Sequence, residues 1–248
     1  MTSIEFAAGG YRFIPGVAQY SGGVAALPGF CIERVAFQTL VPLSEGFRRI
    51  AEIIGASGRP LASFCACELR SPAPFTEAGF QKFNAAYVAQ LSRWGIGADG
   101  MNPVARSNVC PELSAPEEPS FYAFSFASTG SNSPPSFVIS GSGEAPEGKA
   151  NYHDHIVRLG DCGLAGLREK AIFVLGEMER RLEALGFQWR DTTATQVYTI
   201  HDLHPFLADA IVARGAASRG VTWHYARPPV IDLEYEMDCR GVLIERVR

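Results

Sequence analysis

GLREKAIFVLGEMERRLEALG (166–186) decides the fold, because its apolar residues recur at steps of three and four positions. This spacing predicts a helix with one apolar face, which must pack on another element. Gly186 follows the last turn, where a residue in the left-handed conformation commonly ends a helix. The apolar face consists of Leu167, Ala171, Val174, Leu175, Met178, Leu182 and Leu185.

The same order of elements occurs twice along the chain. The helix at 166–186 is followed by a strand pattern, TTATQVYTI (192–200), and by a second helix pattern, PFLADAIVARGA (205–216). Both halves then reach an arginine, Arg106 in the first and Arg219 in the second. We therefore predict an internal duplication in which the two copies differ by insertions. The matching segments of the first half are PLSEGFRRIAEIIGASGRP (42–60), ASFCACEL (62–69) and EAGFQKFNAAYVAQLSRWG (77–95).

The turn-forming stretch STGSNSPPS (128–136) separates the halves, with strand patterns FYAFSFA (121–127) before it and FVISGSG (137–143) after it. We predict two units, 1–130 and 137–248, each with the order β-β-α-β-α-β. One-sided helices over a mixed sheet indicate an α+β fold with two helices on one face of each sheet. The other sheet face needs a cover, from the sister unit or from a partner subunit, so we expect a homo-oligomer.

Composition excludes several classes of protein. A chain of 248 residues with 47% hydrophobic residues can bury a core, and its net charge of −4 gives no reason to bind nucleic acid. No apolar run is long enough for a membrane span, and MTSIEFAAGGYRF at the N-terminus lacks the pattern of a signal peptide. Six scattered cysteines without C-x-x-C spacing favour reduced thiols. We therefore expect a cytoplasmic protein that needs no cofactor.

Several motifs carry a resemblance to a known family. The first half contains YSGGVA (20–25), ASGRPL (56–61), FNAAY (83–87) and PVARSNV (103–109), and the second half contains DLEYEMD (232–238). Together they resemble the reactive intermediate deaminase family, also called Rid or YjgF-like. The resemblance implies two tandem chorismate-mutase-like units and a trimer with clefts between subunits. It also implies that an arginine binds a substrate carboxylate while water hydrolyses an enamine or imine.

The resemblance also assigns roles to residues. It implies that Arg106 binds the carboxylate, with Asn84 and Ser107 beside it in the substrate site. The family's glutamate lies 15 residues after the arginine; this position is Phe121 after Arg106 and Glu234 after Arg219. The first copy thus keeps the arginine without the glutamate, whereas the second keeps both Arg219 and Glu234.

The chemistry of these residue types agrees with such roles. Arginine donates two parallel hydrogen bonds to a carboxylate and stays charged, and a glutamate with a raised pKa can move protons. If 232–238 is a strand, Asp232, Glu234 and Glu236 share one face, which is also typical of a solvated sheet edge. Cys110 is a candidate thiol of the cleft. Nucleophilic catalysis by it is disfavoured, because no histidine precedes His153 to activate it.

These observations support three hypotheses for function. The first is a hydrolytic deaminase that releases ammonia from an enamine or imine carboxylate. A 2-aminomuconate-type dicarboxylate is the favoured substrate, because two arginine-bearing copies offer more than one cation. The second is a non-catalytic small-metabolite-binding or assembly module of the same fold. The third is a metal-dependent hydrolase that uses Asp154 or Asp202 with the late histidines, which are His153, His155, His201, His204 and His224.

Overall fold

The computed structural model describes residues 2–97, 100–130 and 134–248, which form two sheets flanked by helices. This arrangement confirms the predicted α+β class. The helices are Leu43–Ala56 (α1), Glu77–Arg93 (α2), Leu164–Ala184 (α3) and the short His204–Phe206 (α4), which continues as a π-helical turn over Leu207–Ile211. The strands are Ile4–Phe6 (β1), Tyr11–Ile14 (β2), Gly23–Ala26 (β3), Phe30–Pro42 (β4), Phe64–Arg70 (β5), Ala105–Pro111 (β6), Ser120–Thr129 (β7), Phe137–Gly143 (β8), Ala194–Tyr198 (β9), Thr222–His224 (β10), Ala226–Arg227 (β11), Glu236–Gly241 (β12) and Ile244–Val247 (β13).

Each sheet carries its helices on one face. The first sheet has the order β11-β6-β5-β7-β4-β13, and its buried apolar residues pack against α1 and α2. The second sheet has the order β1-β2-β3-β8-β12-β9-β10 and packs against α3 and the segment that starts with α4. Parallel and antiparallel pairs occur in both sheets; β5, for example, runs parallel to β6 and antiparallel to β7. Gly186 has a φ of 77° directly after α3, as its position predicted.

The two halves exchange their terminal strands. Val24 of β3 pairs with Val138 of β8, so the N-terminal strands belong to the second sheet. Glu245 of β13 pairs with Arg34 of β4, so the C-terminal strand belongs to the first sheet. The division into 1–130 and 137–248 stays a prediction, and hydrogen-bonded strands cross it in both directions. Residues 131–133 of the predicted linker lie outside the described residues.

The second faces of the two sheets pack against each other within the chain. One apolar cluster joins Tyr11 and Val24 of the second sheet to Ile32 and Ala105 of the first. Each sheet therefore covers the second face of the other, as the sequence analysis allowed. The homo-oligomer, with a trimer favoured, stays a prediction. Among the described residues, no helix combines the length and apolarity needed to cross a membrane.

Candidate active site

Arg106 lies near the start of β6, beside Cys67 of β5, and its side chain points towards α2. The guanidinium Nη2 donates a hydrogen bond of 2.7 Å to Asn84 Oδ1, and the residue is 3% exposed. A delocalised and weakly hydrated cation tolerates such burial when aromatic faces surround it. The guanidinium carbon lies 4.9–5.7 Å from the ring centres of Tyr20, Phe80, Phe83 and Tyr87.

Two buried donors at this place lack an acceptor within the described part of the chain. These are Arg106 Nη1 and Asn108 Nδ2, although Asn108 Oδ1 accepts a bond of 2.9 Å from Ser71 Oγ. A buried donor without a partner costs free energy, and most such groups in folded proteins are satisfied. Both residues line one small cavity. An anionic group in that cavity would satisfy both donors.

The cavity forms where the two halves meet. Its volume is about 40 Å³, and its polar lining combines Tyr20, Arg106 and Asn108 with Tyr152 and Glu236. This space accommodates a group about as large as a carboxylate rather than a whole metabolite. A second, outer cavity of about 260 Å³ shares Phe80 and Tyr152 with it and is also lined by Asn84 and Lys149. Phe80 and Tyr152 thus border both the small space beside Arg106 and the larger space beside Lys149.

Glu236 is the carboxylic acid of this inner cavity. It is the first residue of β12, where it pairs with Gly143 of β8, and it is 4% exposed. Burial is the main cause that holds the pKa of Glu236 well above its usual range. The nearby Asp238 carboxylate raises that pKa further, whereas the Arg106 guanidinium opposes the shift. Glu236 therefore favours the protonated form, which suits a proton donor.

Gly141 makes room for Glu236. A Cβ atom at this position would lie 2.2 Å from Glu236 Oε1 and 3.0 Å from Ser107 Cβ. Gly141 belongs to the motif FVISGSG. Because it has no side chain, the Glu236 carboxyl group can pack directly against β8. The short distance also shows that Glu236 faces the first sheet, on the side of β6.

Ser107 and Cys110 lie on β6 near Arg106, but neither is among the described residues that line the inner cavity. Ser107 instead shares with Arg106 and Asp238 a smaller cavity of about 10 Å³ between the sheets. Ser107 is 5% exposed and its hydroxyl bonds to the carboxylate of Asp238 between the sheets. Alternation along β6 points Ser107 away from the Arg106 side chain. Burial raises the pKa of the Cys110 thiol to about 12. Such a thiol is not a ready nucleophile.

Glu234 lies outside the cavity, and its predicted strand face does not form. Asp232 has a φ of 74°, and β12 begins only at Glu236. The reason is that the backbone N–H of Glu234 donates to Glu144 Oε1 at 2.7 Å instead of entering a sheet ladder. The Glu234 carboxylate is bonded to His201 at 2.8 Å. The spacing of 15 residues after Arg219 selects Glu234, and it gives no role to Glu236, which the predicted strand places on the same face.

Arg219 also lies apart from Arg106. It is exposed in a turn between Gly215, with a φ of 86°, and Gly220, with a φ of 88°. Arg219 is not among the described residues that line either cavity. The structure thus brings Arg106 and Asn84 together, and adds Glu236, but leaves Arg219 and Glu234 elsewhere.

The late histidines do not converge on the predicted metal site. His153 with Asp154, and His204 with Asp202, form local pairs at the surface. Burial lowers the pKa of His224 to about 4. His201 instead bonds to the carboxylate of Glu234 at 2.8 Å.

The chain is similar to known proteins in sequence and in fold. The sequence model of the family described as 2-aminomuconate deaminase CnbZ matches residues 3–246. The 2-amino-5-chloromuconate deaminase of Comamonas testosteroni is 50% identical over 247 residues, which are 99% of this chain and 98% of that protein. A chorismatase crystal structure at 1.08 Å resolution has the same fold, with a TM-score of 0.57 at 15% identity over 92% of this chain and 79% of that one. The YjgF gene product of E. coli matches 43% of this chain and 80% of its own, with 18% identity and a TM-score of 0.31. Because the family model matches nearly the whole chain and the Comamonas protein is 50% identical to it, the chain belongs to the CnbZ family of 2-aminomuconate deaminases.

Proposed function

We propose that this protein hydrolyses the carbon–nitrogen bond of a 2-aminomuconate-type dicarboxylate and releases ammonia. The observation that carries the proposal is the buried Arg106, which lines the same cavity as the Glu236 carboxyl group and whose Nη1 has no partner among the described residues. Burial raises the pKa of that carboxyl group. A fixed cation beside a proton donor is what the hydrolysis of an amino-substituted unsaturated acid requires. The 50% identical relative named as a deaminase of this substrate class supports the same conclusion.

The geometry supports a definite sequence of steps. Arg106 Nη1 and Asn108 Nδ2 bind the carboxylate next to the amino-bearing carbon, and Glu236 donates its proton to the enamine carbon to give an iminium ion. Water then adds to the iminium carbon while the Glu236 carboxylate accepts a proton from that water. Glu236 passes this proton to the nitrogen of the resulting carbinolamine, which leaves as ammonia when the carbon–nitrogen bond breaks. The hydroxyl proton returns to the Glu236 carboxylate as the carbonyl group forms, which restores the protonated donor. The products are ammonia and a 2-oxo dicarboxylate, so one water molecule is consumed for each turnover.

The outer cavity supports a dicarboxylate substrate. When the first carboxylate occupies the inner cavity, the unsaturated chain passes between Phe80 and Tyr152, which line both spaces. Lys149 lines the outer cavity and supplies a cation for the distal carboxylate. Lys149 thus supplies the second cation for the dicarboxylate, which was expected to come from Arg219.

The direct test is ammonia release from enzymatically generated 2-aminomuconate by the purified full chain. We expect stoichiometric ammonia together with loss of the absorbance of the conjugated substrate. Saturable binding without ammonia release would instead establish the non-catalytic module. An assay after exhaustive chelation addresses the metal-dependent hydrolase, and activity that disappears with the metal would contradict the proposed mechanism.

A further inference from the structure

Three side chains of different chemistry converge at a place that the deaminase cleft does not use. Cys162 lies just before α3, His201 follows β9, and Glu234 precedes β12. One ligand atom from each of them lies within 4.8 Å of the other two. His201 and Glu234 side chains are 21% and 17% exposed, and Cys162 is exposed. The convergence of three separate segments distinguishes this group from a run of neighbouring acidic residues.

The three groups form a suitable ligand set for one metal ion. Thiolate, imidazole and carboxylate are the ligands that Zn²⁺ takes in proteins. Metal–ligand bonds of ~2.0–2.3 Å place tetrahedral ligand atoms about 3.3–3.8 Å apart. His201 Nε2 and Glu234 Oε2 are already 2.8 Å apart. Small side-chain rotations are therefore enough to bring all three onto one ion, with a fourth position open to water.

The backbone around two of the ligands is held in place by buried contacts. Glu144 accepts the N–H of Glu234 at 2.7 Å and is itself paired with Lys170 at 3.1 Å, and neither side chain of this pair is exposed. Thr199 Oγ1 donates to the carbonyl oxygen of Glu234 at 2.8 Å and accepts the N–H of His201 at 3.2 Å. One hydroxyl thus links the two ligand-bearing segments before any metal binds, which lowers the cost of ordering the site.

The charge balance also favours a cation. A thiolate and a carboxylate together neutralise a divalent ion, while imidazole remains neutral. Arg227 Nη1 is 3.6 Å from Glu234 Oε2, but this guanidinium is engaged by Glu112 at 2.8 Å. Arg227 is thus bonded mainly to Glu112, and a metal ion would replace its longer ion pair with Glu234.

We propose that Cys162, His201 and Glu234 form a binding site for a thiophilic divalent cation, with Zn²⁺ as the expected ion. The site is separate from the cleft, because none of the three is among the described residues that line the cavity of Arg106. A bound ion would connect the start of α3, the end of β9 and the chain that leads into Glu236. Its role is to fix these segments, and the deaminase chemistry does not pass through it.

Co²⁺ is the probe for the test, since a cysteine ligand gives it a thiolate-to-metal charge-transfer band in the near ultraviolet. We expect the reduced full-length protein, in the absence of substrate, to develop this band with one equivalent of Co²⁺ and to lose it when Zn²⁺ is added. Cys162→Ser should abolish the band, and His201→Ala and Glu234→Gln should each weaken Zn²⁺ binding by at least about tenfold. His204→Ala, at an exposed histidine nearby, is the matched control and should bind as the wild type does.

Thermal unfolding gives a second readout that requires no spectroscopic signal. Zn²⁺ should raise the Tm of the wild type and of the His204→Ala control, but not that of Cys162→Ser, because a ligand of the folded state stabilises it by mass action. Without metal, Cys162→Ser should unfold at the wild-type temperature, since the side chain is exposed. A band that persists in Cys162→Ser, or Zn²⁺ affinity that His201→Ala leaves unchanged, would mean adventitious metal only and would overturn the proposal. Neither result bears on ammonia release.

Discussion

The hydrogen bond of 2.7 Å from Arg106 Nη2 to Asn84 Oδ1 orients the guanidinium so that Nη1 is left for a ligand. Asn84 comes from α2 and Arg106 from β6, so the packing of the helix on the sheet sets this orientation. A side chain fixed in this way loses little entropy when an anion binds, which is the advantage of a preorganised site. The contact between α2 and β6 in the first half thus positions the arginine of the candidate site.

Replacement of Arg106 should strongly reduce activity. Arg106→Ala removes the charge-assisted contact with the carboxylate, which should lower kcat/KM for 2-aminomuconate by roughly 30- to 1,000-fold. Arg106→Lys keeps the charge but loses the planar fork, so we expect only partial recovery. Arg219→Ala is the matched control and should remain within about twofold of the wild type, because Arg219 is an exposed residue of a turn. Steady-state kinetics on the four proteins measures both effects, and equal losses in the Arg106 and Arg219 variants would contradict the assignment.

Glu236 and Glu234 should differ sharply when each is made neutral. Glu236→Gln removes the proton donor of the cavity and should lower kcat by about 10²- to 10⁴-fold. Glu234→Gln should retain most of the activity, because its carboxylate is bonded to His201 outside the cavity. If Glu234→Gln lost more activity than Glu236→Gln, the proton donor would be Glu234, the residue that the spacing after Arg219 selects.

The pH dependence of kcat follows from the same carboxyl group. Burial raises the pKa of Glu236 well above its usual range, so the protonated, donating form persists to higher pH than in an ordinary glutamic acid. As pH rises through this raised pKa the donor is lost, and kcat should fall. The decline should be absent from the residual activity of Glu236→Gln. A wild-type profile that only rises with pH over this window would show that Glu236 is not the donor.

Gly141→Ala should separate activity from stability. The new methyl group would lie 2.2 Å from Glu236 Oε1, so this side chain must rotate out of its catalytic position. It would also lie 3.0 Å from Ser107 Cβ, and the shift that this contact requires should cost about 1–3 kcal/mol of stability. We expect a folded protein with at least about tenfold lower kcat. Gly176→Ala, within α3 with no atom within 4 Å of its Cβ, is the control. It should keep full activity and gain about 0.5–1 kcal/mol of stability, measured by urea unfolding.

Lys149 should affect substrate choice rather than the chemical step. Lys149→Ala should raise KM for 2-aminomuconate by about tenfold, with little change in kcat. This factor corresponds to about 1.4 kcal/mol, which is typical of one weak contact between charges. The same variant should leave kcat/KM for a small monocarboxylate imine unchanged, since such a substrate does not reach the outer cavity. Parallel losses on both substrates would exclude a contact with a distal carboxylate.

The buried pair of Lys170 and Glu144 should dominate the stability of the second half. Lys170→Met leaves Glu144 as an unpaired buried charge and should cost about 3–5 kcal/mol. The double variant with Glu144→Gln should recover part of this loss, because the remaining group carries no charge. Arg168→Ala breaks an exposed pair with Asp209 and should cost at most about 1 kcal/mol. Urea unfolding of the wild type, of these three variants and of Glu144→Gln alone gives these values. A double variant whose loss equals the sum of the two single losses would contradict the interpretation.

Local patterns predicted the long helices well, because the apolar residues of each helix recur on the one face that it buries. The stripe at 166–186 matches α3 at Leu164–Ala184, and the pattern at 77–95 matches α2 at Glu77–Arg93. The resemblance likewise selected Arg106 and Asn84, which the structure bonds directly. The pattern at 205–216 is less regular in the structure, where a π-helical turn over Leu207–Ile211 follows the short α4.

The sequence by itself determined the α+β class, the positions of the long helices and the arginine that faces the cleft, since these depend on local periodicity and short motifs. Tertiary structure decided which carboxyl group joins that arginine. Glu144 holds the backbone of Glu234 and delays the start of β12, so Glu236 rather than Glu234 enters the cavity. It also decided that the terminal strands cross between the sheets. Both outcomes depend on hydrogen bonds between residues about 90 or more positions apart, which no local pattern encodes.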